Sequence, residues 1–287
     1  MLANIKRSLL CISTISCMSL YATEIKQPIT IGSTPSVPTD TDYNYWLDGK
    51  TYVFNTRVNI VDQNWIANEP VTIDKDYTLK LITNHTNDYY YVLYCYNTFT
   101  NDGNVIIDNY GGLAIDYNNN TTIDTSINNG TININNGELT LCNGAILNNT
   151  GTITLTGSSF IYIYNSTLSN KGTIDISNIT DLSRWYNDGT FTLKGGSTFI
   201  LPKSISTNKI GSTGNTFKPI TLNGTNDNPV NIVIPKGCEY IKDTDNNNKY
   251  ALFEAIKEET GFTFNGNKNN VKFSWQKEDV KKQQNHL

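Results

Sequence analysis

The sequence predicts an all-β protein that folds as a single parallel, right-handed β-helix (a solenoid) with a small C-terminal cap. Two observations predict it: a short glycine-centred pattern recurs along the chain, and the polar residues are mostly Asn and Thr, with 41 and 37 copies among 287 residues. Threonine is β-branched and favours strands, and Asn tolerates the left-handed backbone of tight turns. This composition therefore suits the outward faces and corners of stacked strands.

The recurring pattern is Asn-x-Gly followed by two apolar residues that alternate with polar ones, and successive glycines are 27, 21, 21 and 17 residues apart. Alternation with a period of two predicts a strand with one buried face, and such a strand buries that face only when equivalent strands stack on it. The spacing leaves room for two more short strands in each coil. The five segments are Asn101–Ile107, Asn128–Ile134, Asn149–Leu155, Asn170–Ile176 and Asn187–Leu193.

The alternation also predicts which side chains point into the core. We expect the apolar members of two central segments to point inward and their polar neighbours to face outward. The inward set is Ile153, Leu155, Ile174 and Ile176, and the outward set is Thr152, Thr154, Thr173 and Asp175.

An asparagine stands two positions before the glycine in every segment. Because equivalent residues of a solenoid stack, these side chains should form a ladder in which each amide donates to the carbonyl oxygen of the next. The glycine should supply a turn with positive φ. Both features are interpreted as turn structure and not as a ligand site. The asparagines are Asn101, Asn128, Asn149, Asn170 and Asn187.

Composition and pattern divide the chain into five regions. The only helix-like stretch, Tyr250–Lys257, falls near the C-terminus, although a strand fits its first half as well. The expected regions are a signal peptide over 1–22, an N-terminal leader over 23–44, the solenoid over 45–235, a capping segment over 236–275 and a polar tail over 276–287.

The first 22 residues have the features of a secretory signal peptide. Lys6 and Arg7 precede a mainly apolar stretch, and Leu20-Tyr21-Ala22 forms an acceptable cleavage site. No other segment is apolar enough to span a bilayer. We therefore expect a secreted or cell-surface protein outside the cytoplasm. A net charge of −4 and a pI near 5.2 argue against nucleic acid as a partner.

Three cysteines follow the signal peptide, namely Cys95, Cys142 and Cys238. Three allow at most one disulfide, and no Cys-x-x-Cys spacing indicates a zinc site. Each is interpreted as a small core residue.

Three chemical activities were weighed against the pattern. Polysaccharide hydrolases need closely set carboxylates, and the aspartates at exposed strand positions do not share one register. The alternating Asp and Asn of 243–248 are typical of a calcium loop, but the segment lacks the glycine and the distant glutamate of an EF-hand loop. An ice-binding face needs a flat threonine array, and only Thr152/Thr154 and Thr190/Thr192 fit it. The sequence thus predicts no catalytic residue, no metal site and no cofactor. The aspartates are Asp108, Asp116, Asp124 and Asp175.

Exposed aromatic residues are the best indication of binding. Tyr162, Tyr164, Trp185 and Tyr186 fall in neighbouring coils. Tyrosine and tryptophan favour interfaces and sugar faces because they join apolar area to a polar edge. The shortest glycine spacing lies here. We expect a binding patch of Arg184, Trp185 and Tyr186, with Trp185 in the core as the alternative.

The Asn-x-Gly-Thr-Ile-x-Ile/Leu coils resemble those of autotransporter passenger domains and related bacterial β-helix surface proteins and adhesins. The segments Lys249–Ala255, Gly261–Phe264 and Val271–Trp275 are similar to the capping end of such passengers. The resemblance covers residues 100–275 and implies a β-helix at the bacterial surface. We expect a protein without the translocator barrel of these passengers, and no functional residue carries over.

The sequence therefore predicts an exported, non-enzymatic protein, on the cell surface or secreted, that acts in adhesion or in contact with a host. Glycans or a host or cell-surface protein are the expected partners. The alternative is a carbohydrate-active β-helix enzyme, either a polysaccharide lyase or a hydrolase.

Overall fold

The computed structural model describes residues 23–37, 44–55, 65–83, 90–117, 124–205, 208–241 and 248–276. Within these ranges the chain is a β-solenoid, as predicted. It passes through three sheets in turn, and equivalent strands of successive coils pair in parallel. We name them sheet A, with seven strands, sheet B, with nine, and sheet C, with ten.

The strands are numbered in chain order. Sheet A contains β1 (Thr23–Ile25), β5 (Trp65–Ala67), β8 (Tyr90–Cys95), β11 (Gly111–Asp116), β14 (Glu138–Cys142), β17 (Phe160–Tyr164) and β20 (Tyr186–Asn187). Sheet B contains β2 (Ile29–Ile31), β6 (Val71–Ile73), β9 (Phe99–Asn101), β12 (Thr125–Asn128), β15 (Ile146–Asn149), β18 (Thr167–Asn170), β21 (Thr190–Lys194), β23 (Ile220–Asn223) and β25 (Phe264–Gly266). Sheet C contains β3 (Asn44–Trp46), β4 (Thr51–Asn55), β7 (Thr78–Ile82), β10 (Asn104–Asp108), β13 (Thr131–Asn135), β16 (Thr152–Gly157), β19 (Thr173–Ile179), β22 (Thr198–Ile200), β24 (Val230–Ile234) and β26 (Val271–Trp275).

Alternating apolar residues fill the space between the sheets. The pairing places Ile132, Ile153 and Ile174 of β13, β16 and β19 in one continuous row. Beyond Thr154 the register of β16 with β19 shifts at an irregularity. The four residues expected to point inward are fully buried, which confirms the predicted register. The polar residues between them face outward and are half-buried by their stacked neighbours.

Four of the five asparagines form the predicted ladder. The side-chain Nδ2 of Asn101 donates to Oδ1 of Asn128 at 2.6 Å, and bonds of the same length join Asn128 to Asn149 and Asn149 to Asn170. Each of the first three also donates to a backbone carbonyl oxygen at the start of the sheet C strand in the following coil, one coil beyond its own. All four are fully buried. The ladder thus supplies hydrogen bonds to amides that would otherwise be buried without partners.

The fifth glycine-led segment departs from the prediction. Its strand, β21, pairs with β18 in sheet B, whereas the other four segments lie in sheet C. A spacing of 17 residues is too short for a complete coil, so the chain reaches sheet B where the pattern predicts sheet C. Asn187 therefore lies in sheet A opposite Ile163, and its Nδ2 donates to the Lys218 carbonyl oxygen at 3.1 Å.

The predicted role of the repeated glycines is also wrong. Gly130, Gly151 and Gly172 do not have positive φ. A Cβ at each would lie within 3.0 Å of the carbonyl oxygen of the equivalent glycine one coil earlier. Glycine is required because the corners of successive coils approach too closely for any side chain.

The N-terminal end of the stack is closed by a change of strand direction. β3 pairs antiparallel with β4, and Thr30 and Ser36 exchange backbone hydrogen bonds beside β2. Residues 23–31, within the expected leader, supply β1 and β2 of the first coil. The expected signal peptide, 1–22, lies outside the described residues.

The C-terminal end is covered by one helix, α1 (Lys249–Thr260), which confirms the helical interpretation of Tyr250–Lys257. It begins at Asn248, whose side chain accepts hydrogen bonds from two backbone N–H groups, and ends at Gly261 with φ 80°. Its buried residues, Leu252, Phe253, Ile256 and Thr260, close the core. The strands β25 and β26 that follow pair in parallel with β23 and β24.

Candidate binding site

The outer face of sheet A carries a row of in-register side chains, one from each coil. Side chains of paired strands stack about 4.8 Å apart. Two groups of tyrosines therefore stand on either side of two small residues. From the N-terminal end the row is Glu24, Ile66, Tyr94, Ala114, Thr140, Tyr162 and Tyr186.

The group nearer the C-terminal end of the row, the upper group, is a stacked pair of rings. The ring centroids of Tyr162 and Tyr186 are 4.4 Å apart with an interplanar angle of 13°. The Tyr186 hydroxyl donates to Oδ2 of Asp188 at 3.0 Å, and Oδ1 of the same carboxylate accepts from the backbone N–H of Asn165 at 2.7 Å. Both tyrosines are half-buried. These bonds hold the Tyr186 ring parallel to its neighbour.

The expected patch of Arg184, Trp185 and Tyr186 does not come together on the surface. Trp185 is fully buried, and its Nε1 donates to the Ser159 carbonyl oxygen at 3.2 Å. Its ring meets Phe262 edge-on, with centroids 5.5 Å apart. Trp185 is therefore a core residue, which is the alternative that the sequence allowed. Tyr186 instead shares a surface with Tyr162, whose strand β17 is three strands earlier in the chain but adjacent to β20 in sheet A.

The lower group is formed by Tyr91, Tyr94 and Tyr96. The ring centroid of Tyr94 lies 4.9 Å from that of Tyr91 and 6.1 Å from that of Tyr96. The Tyr91 hydroxyl lies 3.3 Å from the Thr140 hydroxyl, two coils away, so the ring crosses the intervening Gly112. A side chain at Gly112 would meet the Tyr91 ring at 3.1 Å. Glycine thus makes room for the ring.

Two carboxylates are buried on this face. Glu138 is 3% exposed and Asp116 is 7% exposed, and Oδ1 of Asp116 accepts from Nδ2 of Asn143 at 2.9 Å. The expectation that Asp116 occupies an exposed position is wrong, because every residue of β11 and β14 is buried on both faces of the sheet. Burial, with the charges of Asp116 and Cys142, raises the pKa of Tyr96 to about 12, so its hydroxyl remains protonated at neutral pH.

The remaining aspartates of the enzyme alternative are scattered. Asp108 lies on sheet C, where a carboxylate oxygen is 3.4 Å from the Lys80 ammonium group. Asp175, on the same sheet, accepts from the backbone N–H of Ser177. Asp124 lies just before β12 of sheet B. Together with Asp116 of sheet A, the four carboxylates occupy three faces of the solenoid.

Threonines form a longer row than the sequence suggested. The pairs Thr152/Thr154 and Thr190/Thr192 lie on sheets C and B, so they do not form one array. The first strands of sheet C escaped the pattern because they lack the glycine. The in-register row on sheet C is Thr51, Thr78, Asn104, Thr131, Thr152, Thr173 and Thr198.

The cysteines are free thiols. Cys95 and Cys142 are buried, as predicted, and Cys238 is half-buried. Burial raises the pKa of the Cys95 and Cys238 thiols, which lowers their reactivity as thiolates. In the part of the chain that the structure describes, no three His, Cys, Asp or Glu side chains are grouped as a metal site would require. Residues 243–247 of the segment considered as a calcium loop, 243–248, lie outside that part. No helix among the described residues is long and apolar enough to cross a membrane.

Comparison with known proteins adds no relative. No protein-family model, curated protein or solved structure matches the chain. The geometry of the two tyrosine groups on sheet A is therefore the main indication of function.

Proposed function

We propose that the chain is an exported, non-enzymatic protein of the cell surface or the surroundings that makes adhesive contact with glycans. The stacked rings of Tyr162 and Tyr186 carry this proposal. We define the tyrosine face as the outer surface of sheet A that contains these two rings together with the half-buried Tyr91 and Tyr96, which pack against the buried Tyr94.

Stacked tyrosines suit a sugar ligand for a physical reason. A tyrosine ring offers an apolar face to the C–H groups of a pyranose, and its hydroxyl offers a polar edge. The bond from Tyr186 to Asp188 fixes one ring before any ligand arrives. A rigid contact surface loses little conformational entropy on binding, so more of the contact energy contributes to affinity.

The contact surface is also extended. Tyr94 of the lower group lies three coils from Tyr162 in one row, which corresponds to about 14 Å along the solenoid axis, and the Tyr91 ring spans the coils between them. That distance matches a short run of sugar units rather than a single one. The features of a signal peptide at residues 1–22 and the resemblance to bacterial β-helix adhesins support a location outside the cytoplasm.

The test is binding of the purified chain to an immobilised glycan panel. We expect the double substitution Tyr162→Ala and Tyr186→Ala to abolish binding while the far-UV circular dichroism spectrum stays unchanged. The matched control is Tyr250→Ala, which removes a tyrosine that is 62% exposed at the far end of the molecule. Glycan binding that survives the double substitution would refute the site.

The same panel tests the enzymatic alternative. Release of reducing-end or unsaturated sugars during incubation would show that the chain cleaves polysaccharides and would contradict a purely adhesive function. Fractionation of cells that express the full chain tests the location, and retention in the cytoplasm would contradict it.

A further inference from the structure

The two ends of the solenoid differ in how their edge strands are protected. At the N-terminal end the antiparallel strand β3 covers β4. At the C-terminal end β26 is the last strand of sheet C among the described residues, and within them it pairs with β24 alone. An uncovered edge strand presents backbone N–H and C=O groups that can pair with another chain.

The hydrogen bonds around β26 identify its free groups. The backbone N–H of Gln276 donates to the Ile234 carbonyl oxygen, so alternate residues from this position face β24. The residues between them face away, and the Val271 carbonyl oxygen accepts from the Lys249 ammonium group at 2.7 Å. Lys249 thus occupies the beginning of the edge. The backbone groups of Phe273 and Trp275 continue it.

A groove of about 340 Å³ runs beside this edge, between α1 and β26. Its apolar lining includes Leu252, Phe273 and Trp275. The last two occupy the positions of Ile232 and Ile234 in the preceding coil, which are fully buried, but are themselves only half-buried. The last layer of the core is therefore incomplete on this side.

The charge around the groove is of one sign. Among the residues that the structure describes, Lys249 and Lys272 line the groove and no acidic side chain does. The Lys268 ammonium group lies over the nearby Phe253 ring at 4.9 Å from its centroid. A second copy of the chain paired edge to edge through β26 would bring the same lysines together across a two-fold axis. Repulsion between them disfavours that arrangement, whereas carboxylates would complement the groove.

We propose that this groove binds an extended, acidic segment of a partner protein as an additional strand beside β26. Backbone bonds to Phe273 and Trp275 would hold the segment, and its alternate apolar side chains would complete the last core layer against their rings. Its acidic side chains would meet the lysines. This site lies at the end of the molecule and is independent of the tyrosine face.

The first test uses two labelled peptides of eight residues, one alternating Val and Glu and the other alternating Val and Lys, with the purified full chain. Fluorescence anisotropy should show that the Glu peptide binds at least about tenfold more tightly, because several charge pairs change sign together. Lys272→Glu should reduce this preference. The matched control, Lys50→Glu, changes an exposed lysine near the N-terminal end and should leave it unchanged. Equal affinities of the two peptides, or no binding of either, would overturn the proposal.

The second test examines the backbone pairing directly. Two versions of the Glu peptide carry N-methyl groups on alternate backbone nitrogens, offset by one residue. Only one set of nitrogens faces β26 in an added strand, so one version should lose binding and the other should retain it. Equal loss or equal retention would contradict strand addition. Dimerisation of the chain in sedimentation experiments, abolished by Phe273→Pro, would assign the edge to a second copy and also overturn the proposal, because this substitution removes a backbone N–H that faces away from β24.

Discussion

At the scale of single residues, neighbouring positions of one strand should differ sharply in their tolerance of charge. Ile153→Asp places an unpaired carboxylate in a fully buried row, and we expect it to abolish cooperative unfolding. Thr154→Asp lies on the half-buried outer face and should change the free energy of unfolding by less than about 1 kcal/mol. Thermal denaturation followed by circular dichroism measures both, and equal damage would show that the register is wrong.

The repeated glycines provide a second test at this scale, because close approach and positive φ predict different outcomes. At Gly211, where φ is 80° and an added Cβ would meet nothing within 4 Å, Asn should be tolerated better than Ala. At Gly151 any Cβ collides with the Gly130 carbonyl oxygen, so Ala and Asn should both destabilise by about 2 kcal/mol or more. Better tolerance of Asn than of Ala at Gly151 would restore the positive-φ explanation. Urea denaturation of the four variants decides between them.

At the scale of structural elements, the asparagine ladder should be most sensitive in its middle. Asn149→Leu removes the 2.6 Å bonds from Asn128 and to Asn170 and leaves the Asn128 amide with only its 3.4 Å bond to the Thr152 carbonyl oxygen, which should cost about 3 kcal/mol. Asn101 stands at the end of the ladder, and its own Oδ1 has no partner. Asn101→Leu should therefore cost about half as much. Equal losses in urea denaturation would mean that the ladder does not act as a connected chain of bonds.

The elements that the sequence predicted well are those in which each coil repeats the same physical problem. The strands β10, β13, β16 and β19 follow directly from alternation, and the ladder follows from stacking. The sheet of β21 could not be predicted in this way, because the pattern records which residues face the core but not how many strands precede them. Only the short spacing of 17 residues signalled a change.

The candidate site was harder to predict than the fold. The pairing of Tyr162 with Tyr186 depends on β20, a strand of two residues that shows no alternation. The side chain of the adjacent Trp185 has the chemistry that favours binding, but it lies in the core. Side-chain chemistry identified the region, and only the register of sheet A decided which ring reaches the surface.

At the scale of the whole molecule, a solenoid in which each coil contacts its neighbours should tolerate the loss of a complete coil. Deletion of residues 131–151 joins Gly130 to Thr152 and removes β13, β14 and β15 together. The remaining strands keep their order in all three sheets. The variant should therefore unfold cooperatively, and its far-UV circular dichroism spectrum should keep the β-sheet shape of the full chain. A deletion of 131–145 removes β13 and β14 but keeps β15, and it should not fold, because β15 of sheet B would then follow β12 of the same sheet directly. Cooperative unfolding of both variants would contradict the coil as the unit of structure.

The stacking of parallel strands also has a mechanical consequence. The bonds between coils run along the solenoid axis, so a force applied to the two ends loads them one layer at a time. The outermost layer should detach before the next one is strained, and each detached coil of 21 residues would release about 70 Å of chain. When the molecule is pulled in an optical trap, its length should increase in a series of steps of this size, one coil at a time. An extracellular protein built in this way would yield to shear gradually and would keep part of its surface presented while it lengthened.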